Sequence, residues 1–184
     1  MRKELDELLC SNYPKLFRDR HAPMQQTCMC WGFDCGDGWF DVIDVLCSNI
    51  QSHIDWSRKN RANSLKYNRA LRQAIAGNTT SLVRYFTFGL SGPNEHTHRS
   101  VSESLNKLEF REVPEACPQV FVEQVKEKYG TLRFYFYGGD DNVIGMVRLA
   151  ESMTSRICEV CGCPAKTESR GGWVSTRCDQ HKDK

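Results

Sequence analysis

Four residues close to the carboxyl end have the types and the spacing of a metal site. Cys158 and Cys161 are separated by two residues, and after sixteen more the pattern repeats as Cys178 and His181. Two donors three positions apart on a tight turn can face one ion, and Gly162 directly after the first pair suits such a turn. The strand-like GGWVSTR segment leads into the second pair. Thiolate and imidazole donors suit Zn²⁺, the one cofactor the sequence implies. Four protein ligands fill a tetrahedron and leave no open position, so the expected role is structural. A structural zinc ion supplies on the order of 10 kcal/mol of folding free energy, more than so polar a tail could gain by packing. Cys163 lies two positions beyond Cys161, an awkward spacing for a shared ion. It is read as a spare thiol that could replace one ligand.

Three further groups could do chemistry, and each has a plain structural alternative. Cys28, Cys30 and Cys35, with His21 nearby, could hold a second metal or supply a nucleophile. They lack a clear fourth donor and an evident base, and small buried thiols beside Trp31 and Trp39 are the simpler reading. Asp34, Asp37, Asp41 and Asp44 could form a magnesium-binding face of the kind a metal-dependent hydrolase or nuclease needs. They could equally be a cap and the solvated side of a helix. His96 and His98 fall in LSGPNEHTHRS, which reads as a surface loop.

The middle of the chain carries charge of one sign. No acidic residue lies between Asp55 and Glu95, whereas Arg58, Lys59, Arg61, Lys66, Arg69, Arg72 and Arg84 do. On a helix over 58–76, Tyr67, Ala70, Leu71, Ala74 and Ile75 share one side. Arg58, Arg61, Arg69 and Arg72 share the other. Such a stripe attracts phosphate or an acidic protein surface. The alternative is internal pairing with residues 1 to 55, which hold nine acids against five bases. Arg58, Arg61, Lys66, Arg69, Arg72 and Arg84 are therefore the candidate partner- or nucleic-acid-binding residues.

Other elements must position these groups. Residues 2–10 form a short helix with Leu5, Leu8 and Leu9 inward, and YPKLF suits a further helical turn. The glycines flanking Asp37 mark a sharp turn, and Asp37 caps the helix that follows. That helix is amphipathic, with Trp39, Ile43, Leu46, Ile50 and Ile54 at three- and four-residue spacing. Gly77-Asn78 stops the basic helix. Leu132, Phe134 and Phe136 alternate with Arg133, Tyr135 and Tyr137, the period of a strand. The stretch before Tyr129-Gly130 fits either a paired strand or a helix end. Asp140 or Asp141 caps a last helix with Val143, Met146, Val147, Ala150 and Met153 on its packing face.

These elements predict an α+β fold, helices packed on a small antiparallel sheet, with a zinc-ribbon-like tail. Residues 1–156 would form one domain that includes a basic helical segment at about 57–97. Residues 157–184 would form the tail, docked on the helix of residues 141 to 156. With 184 residues, 40% hydrophobic and 26% charged, the chain has the composition of a globular protein. Glu4, Asp6 and Glu7 interrupt any secretory-signal pattern, and no apolar run approaches the ~20 residues of a membrane span. The expectation is a cytosolic protein with no membrane partner, whose ten cysteines are reduced.

CWGFDCGDGWFDVID, VKEKYGTLRFYFYGGDD and the tail from Cys158 to His181 together resemble small bacteriophage and prophage proteins with no established activity. The resemblance is weakest over residues 58 to 97. It implies a phage context, and with it the cytosol of a bacterial host and a zinc-binding tail on Cys158, Cys161, Cys178 and His181. Phage proteins of this size often bind a host protein, sometimes a defence enzyme. The leading expectation is accordingly a non-enzymatic zinc protein that binds a host protein, with inhibition of a host defence system as one form of that role. A nucleic-acid-binding module using the 58–84 segment is the alternative, and a metal-dependent hydrolase ranks below both.

Overall fold

A computed structural model describes residues 1–25 and 27–182. The fold is α+β, with five α-helices and two separate two-stranded antiparallel sheets among the described residues. Contacts divide the chain into two compact units, Met1–Ile54 with Cys117–Lys184, and Asp55–Ala116. This division differs from the expected boundary at residue 156. The basic segment belongs to a unit of its own, and the tail belongs with the first third of the chain.

In the first unit, helix α1 (Lys3–Asn12) buries Leu9 and leaves Leu8 45% exposed, contrary to its expected inward side. The YPKLF stretch makes turns rather than a helix, and these bury Leu16 and Phe17. Helix α2 (Phe40–Ile75) follows a short 3-10 turn at Asp37–Trp39. Its first part buries Ile43, Leu46, Ile50 and Ile54 together with Trp39, as the apolar spacing requires.

The segment before Tyr129-Gly130 is the strand β1 (Phe121–Lys128), paired with β2 (Thr131–Tyr137). Register shifts between Val122 and Gln124, so Val122 and Val125 both reach the core although three positions apart. Tyr129 (φ 53°) and Gly130 (φ 77°) form a two-residue turn with both central residues left-handed, which matches the twist of a hairpin. Leu132 and Phe134 of β2 face the core beneath helix α5 (Asp141–Thr154). Side chains of α5 also satisfy β2 amides: Leu132 N donates to Thr154 Oγ1 at 2.9 Å, and Phe134 N to Glu151 Oε1 at 2.9 Å. Asp140 caps α5 through the amides of Asn142 and Val143. Met153, expected on the packing face, is 47% exposed.

In the second unit, the remainder of α2 packs Tyr67, Ala70, Leu71 and Ala74 against α3 (Thr80–Phe86) and α4 (Glu95–Lys107), which contribute Leu82 and Val101. Ile75 is exposed and lies outside this core. Gly77 (φ 94°) ends α2 as expected, its amide bonded to Ala74 O. Of the expected loop at 90–100, residues 90–94 are irregular as expected, whereas residues 95–100 begin α4. Asn94 is its N-cap and accepts from the Thr97 amide at 2.9 Å, a signal hidden by the preceding Gly-Pro. Asn68 clamps the chain after α4, donating to Arg111 O and accepting from Arg111 N, both at 2.8 Å.

Candidate functional site

The tail is a β-hairpin hung between two turns that carry the Cys158–Cys161 and Cys178–His181 pairs. Strand β3 (Lys166–Arg170) is exposed throughout, and in β4 (Trp173–Arg177) only Thr176 is buried. Packing therefore supplies little of the tail's stability. The first turn is closed by Gly162 N donating to Cys158 O at 2.8 Å, and the second by His181 N donating to Cys178 O at 2.9 Å. These turns bring Cys158, Cys161, Cys178 and His181 together, with all four donor atoms within 4.8 Å of one another. Cys158 Sγ lies 3.7 Å from His181 Nδ1, Cys161 Sγ 3.7 Å from Cys178 Sγ, and Cys178 Sγ 3.3 Å from His181 Nδ1. Tetrahedral coordination with metal–sulfur bonds near 2.3 Å sets donor separations of about 3.5–3.8 Å, so the four can hold a metal ion. His181 would bind through Nδ1.

Charge at the site is uneven. Cys158 is fully buried, which pushes its thiol up. Amide hydrogen bonds from Cys178, Cys161 and Val160 outweigh that and hold it down to about 6. Cys161 is raised: the Cys163 amide pulls it down, but desolvation and hydrogen bonding with Cys163 and Cys158 prevail. Cys178 is raised by desolvation and by hydrogen bonding to Cys161. Cys163 is exposed and outside the cluster. Its carbonyl accepts from Cys158 N at 2.7 Å, so this residue supports the turn through its backbone.

What seats the turn is the CGDGW motif. Gly38 N donates to Glu159 O at 2.8 Å, Gly36 N to Glu159 Oε1 at 2.9 Å, and Trp39 Nε1 to Ile157 O at 2.9 Å. Burial raises the Glu159 carboxyl, partly offset by the Gly36 amide. A Cβ on Gly38 would lie 2.2 Å from Cys158 O and 2.4 Å from Gly162 N. Gly36 and Gly38 therefore serve close backbone approach; neither has the left-handed φ of a sharp turn. The β1–β2 turn makes a second contact, through Thr176 Oγ1 donating to Gly130 O. At the end of the expected docking helix, Thr167 Oγ1 donates to Ser155 O at 3.1 Å and Ala165 N to Arg156 O at 2.9 Å.

The other candidate groups are dispersed. Asp37 does not cap α2; it pairs with Arg2 at 2.6 Å. Asp44 accepts from Tyr13 OH at 2.8 Å, and Asp34 extends the edge of β1 through its backbone. Among the described residues, no metal-competent group contains the Asp34–Asp44 acids, Cys28, Cys30, Cys35, His96 or His98. Cys35 is buried as expected, whereas Cys28 is exposed, Cys30 half-buried and Trp31 76% exposed. A group with no motif to announce it is His53, Cys117 and Asp140, whose donor atoms lie within 4.8 Å of one another.

On the basic unit, Arg58, Lys66, Arg69, Arg72 and Arg84 are exposed, and among the described residues none has a carboxylate partner. Arg61 differs: it is half-buried and donates to Pro114 O at 2.8 Å. Exposed apolar side chains lie in the same unit, among them Trp56, Leu65, Phe88, Leu90 and Phe110. Lys66 Nζ sits 4.9 Å from the centre of the Phe88 ring, and Arg72 Cζ 5.3 Å from that of Phe110. No helix among the described residues is long and apolar enough to cross a membrane. Comparisons with protein-family models, curated proteins and solved structures return no match to this chain.

Proposed function

We propose that this chain is a zinc-stabilised interaction protein that acts by binding a protein of a bacterial host, with a defence enzyme as one candidate target. Three thiolates and an imidazole suit Zn²⁺ over harder ions, and four protein donors leave it no open position, so the ion's part is structural. The observation that carries the reading is the exposed face of the Asp55–Ala116 unit. Helical spacing places Leu65 in the Arg58–Arg61–Arg69–Arg72 stripe, and Trp56, Phe88 and Leu90 are exposed in the same unit. Arginine with large apolar groups is the composition of protein-interface hot spots, and aliphatic side chains such as Leu65 and Leu90 contribute nothing to base stacking. The likeness of three segments to bacteriophage proteins supports a host partner and the host cytosol.

A second reading rests on the Lys66–Phe88 and Arg72–Phe110 pairs, which could serve a nucleic-acid surface. One experiment separates the two. The purified protein captures partners from host lysate with and without nuclease. A stoichiometric protein, retained after nuclease and lost on combined R58E, R69E and R72E substitution, supports the proposal. Capture of nucleic acid alone, with affinity falling steeply as salt rises, would replace it by the second reading.

A further inference from the structure

The Met1–Ile54 and Cys117–Lys184 unit brings together a second set of donors, separate from those of the tail and drawn from three different segments. His53 lies on α2, Cys117 precedes β1, and Asp140 is the N-cap of α5. His53 Nε2 is 2.8 Å from Asp140 Oδ2, and the Cys117 sulfur completes a group in which every donor atom is within 4.8 Å of the others. The two oxygens of Asp140 have separate tasks. Oδ1 accepts the amides of Asn142 and Val143, both at 3.1 Å, which fixes the carboxylate and leaves Oδ2 to face His53.

We propose that His53 Nε2, Cys117 Sγ and Asp140 Oδ2 bind a borderline divalent transition ion, Zn²⁺ or Co²⁺, with its fourth position open to water. A histidine–aspartate pair alone would be an ordinary hydrogen bond. The third donor changes the chemistry, because a thiol 3% exposed has been placed within reach of the same point as the imidazole and the carboxylate. One nitrogen, one sulfur and one oxygen select a borderline ion over Mg²⁺ or Ca²⁺, which take oxygen donors. Tetrahedral coordination needs nitrogen–oxygen separations of about 3.3 Å, so the His53–Asp140 contact opens by roughly half an ångström as the ion replaces the shared proton. Asp140 is the most exposed of the three, its side chain 33% accessible against 17% for His53, so solvent reaches the site from the carboxylate side. Three protein ligands with an open position is the arrangement that tail coordination lacks.

The test is a difference in metal content, so it stands apart from whether the tail holds zinc. Wild type and D140N are dialysed against micromolar free Zn²⁺, and the bound metal is counted by elemental analysis. Asparagine retains the cap on α5 but removes the anionic ligand. D140N is expected to hold one equivalent less than wild type, with an unchanged circular dichroism spectrum, and H53Q to match it. In Co²⁺ titrations of wild type, one binding event should carry the charge-transfer absorbance of a single thiolate, and C117S should abolish that event. Equal metal content in wild type and D140N, or a single-thiolate event that survives in C117S, overturns the proposal. Should H53Q fail to fold, D140N decides.

Discussion

Gly38 is where the Cys158–Gly162 turn closely approaches the backbone of the CGDGW segment. With two backbone atoms within 2.4 Å of where a Cβ would be, alanine cannot be admitted without lifting the Cys158–Gly162 turn away. G38A should therefore destabilise the protein by about 1–3 kcal/mol, the usual range for overpacking against rigid neighbours, and speed metal loss to a chelator. Denaturant unfolding and the rate of metal release check this, with unchanged stability as the contrary result. Proton linkage gives a second residue-scale expectation. Metal needs thiolates, so affinity rises with pH. With Cys158 held at about 6, its depressed value makes it anionic at pH 7.5, whereas Cys161 and Cys178, both raised, keep their protons. Loading the tail at pH 7.5 should thus release about two thiol protons per ion, rising toward three as the pH falls through 6. Calorimetry in buffers of different ionisation enthalpy counts them, and a value near three at pH 7.5 would mean that Cys158 is an ordinary thiol. That Cys158, Cys161, Cys178 and His181 come together was legible from their spacing alone, because two turns of fixed geometry set it. Asp6 was not. It reads as a solvent-side helix acid, yet it is 6% exposed and accepts from Arg20 Nε and Nη2, both at 3.1 Å, and from Phe33 N at 3.2 Å. Its partners are fourteen and twenty-seven positions away, outside any local pattern.

Among the elements, helices with a one-sided apolar face were legible and those defined by a cap were less so. Ile43 to Ile54 and Tyr67 to Ala74 are buried at helical spacing along α2, since burial of a helix face is set by the 3.6-residue period. Helix α4 escaped because the inward stripe of EHTHRSVSESLNK, Thr97, Val101, Ser104 and Leu105, is short and half polar, and the helix depends on the Asn94 cap. The β1–β2 hairpin lies between these cases. The alternation in β2 is plain, but the bulge after Val122 breaks the alternation in β1. Its turn also departs from the preferred Asn-Gly pair by placing a tyrosine at φ 53°, where the residue is 70% exposed and packing gives little in return. Y129N should stabilise the protein by about 0.5–1 kcal/mol, part of the cost of a left-handed non-glycine residue. Thermal unfolding measures it. Equal or lower stability would mean that the Tyr129 ring contributes more than the turn geometry costs.

At the scale of the whole molecule, the division into two units was the least legible feature. The first unit is assembled from both ends of the sequence, and pairings that join Gly38 to Glu159 or Phe33 to Asp6 leave no periodic trace. The same division makes a prediction about metal removal. The Asp55–Ala116 unit has its own core of Tyr67, Ala70, Leu71, Ala74, Leu82 and Val101. The tail has one buried side chain in its hairpin, so an ion held by its four donors would be its main support. A structural ion contributes on the order of 10 kcal/mol, so its loss removes most of what orders residues 158–181. Local order elsewhere should follow contact rather than sequence distance. Chelation should therefore raise hydrogen exchange in the tail and in the Gly36–Trp39 segment that donates to it, while amides of residues 67–74 and 97–107 keep their protection. Exchange measured by mass spectrometry with and without chelator resolves these segments. Loss of protection in the Asp55–Ala116 unit to the same extent as in the tail would show that the two units unfold together, and protection unchanged in the tail would show that no ion orders it.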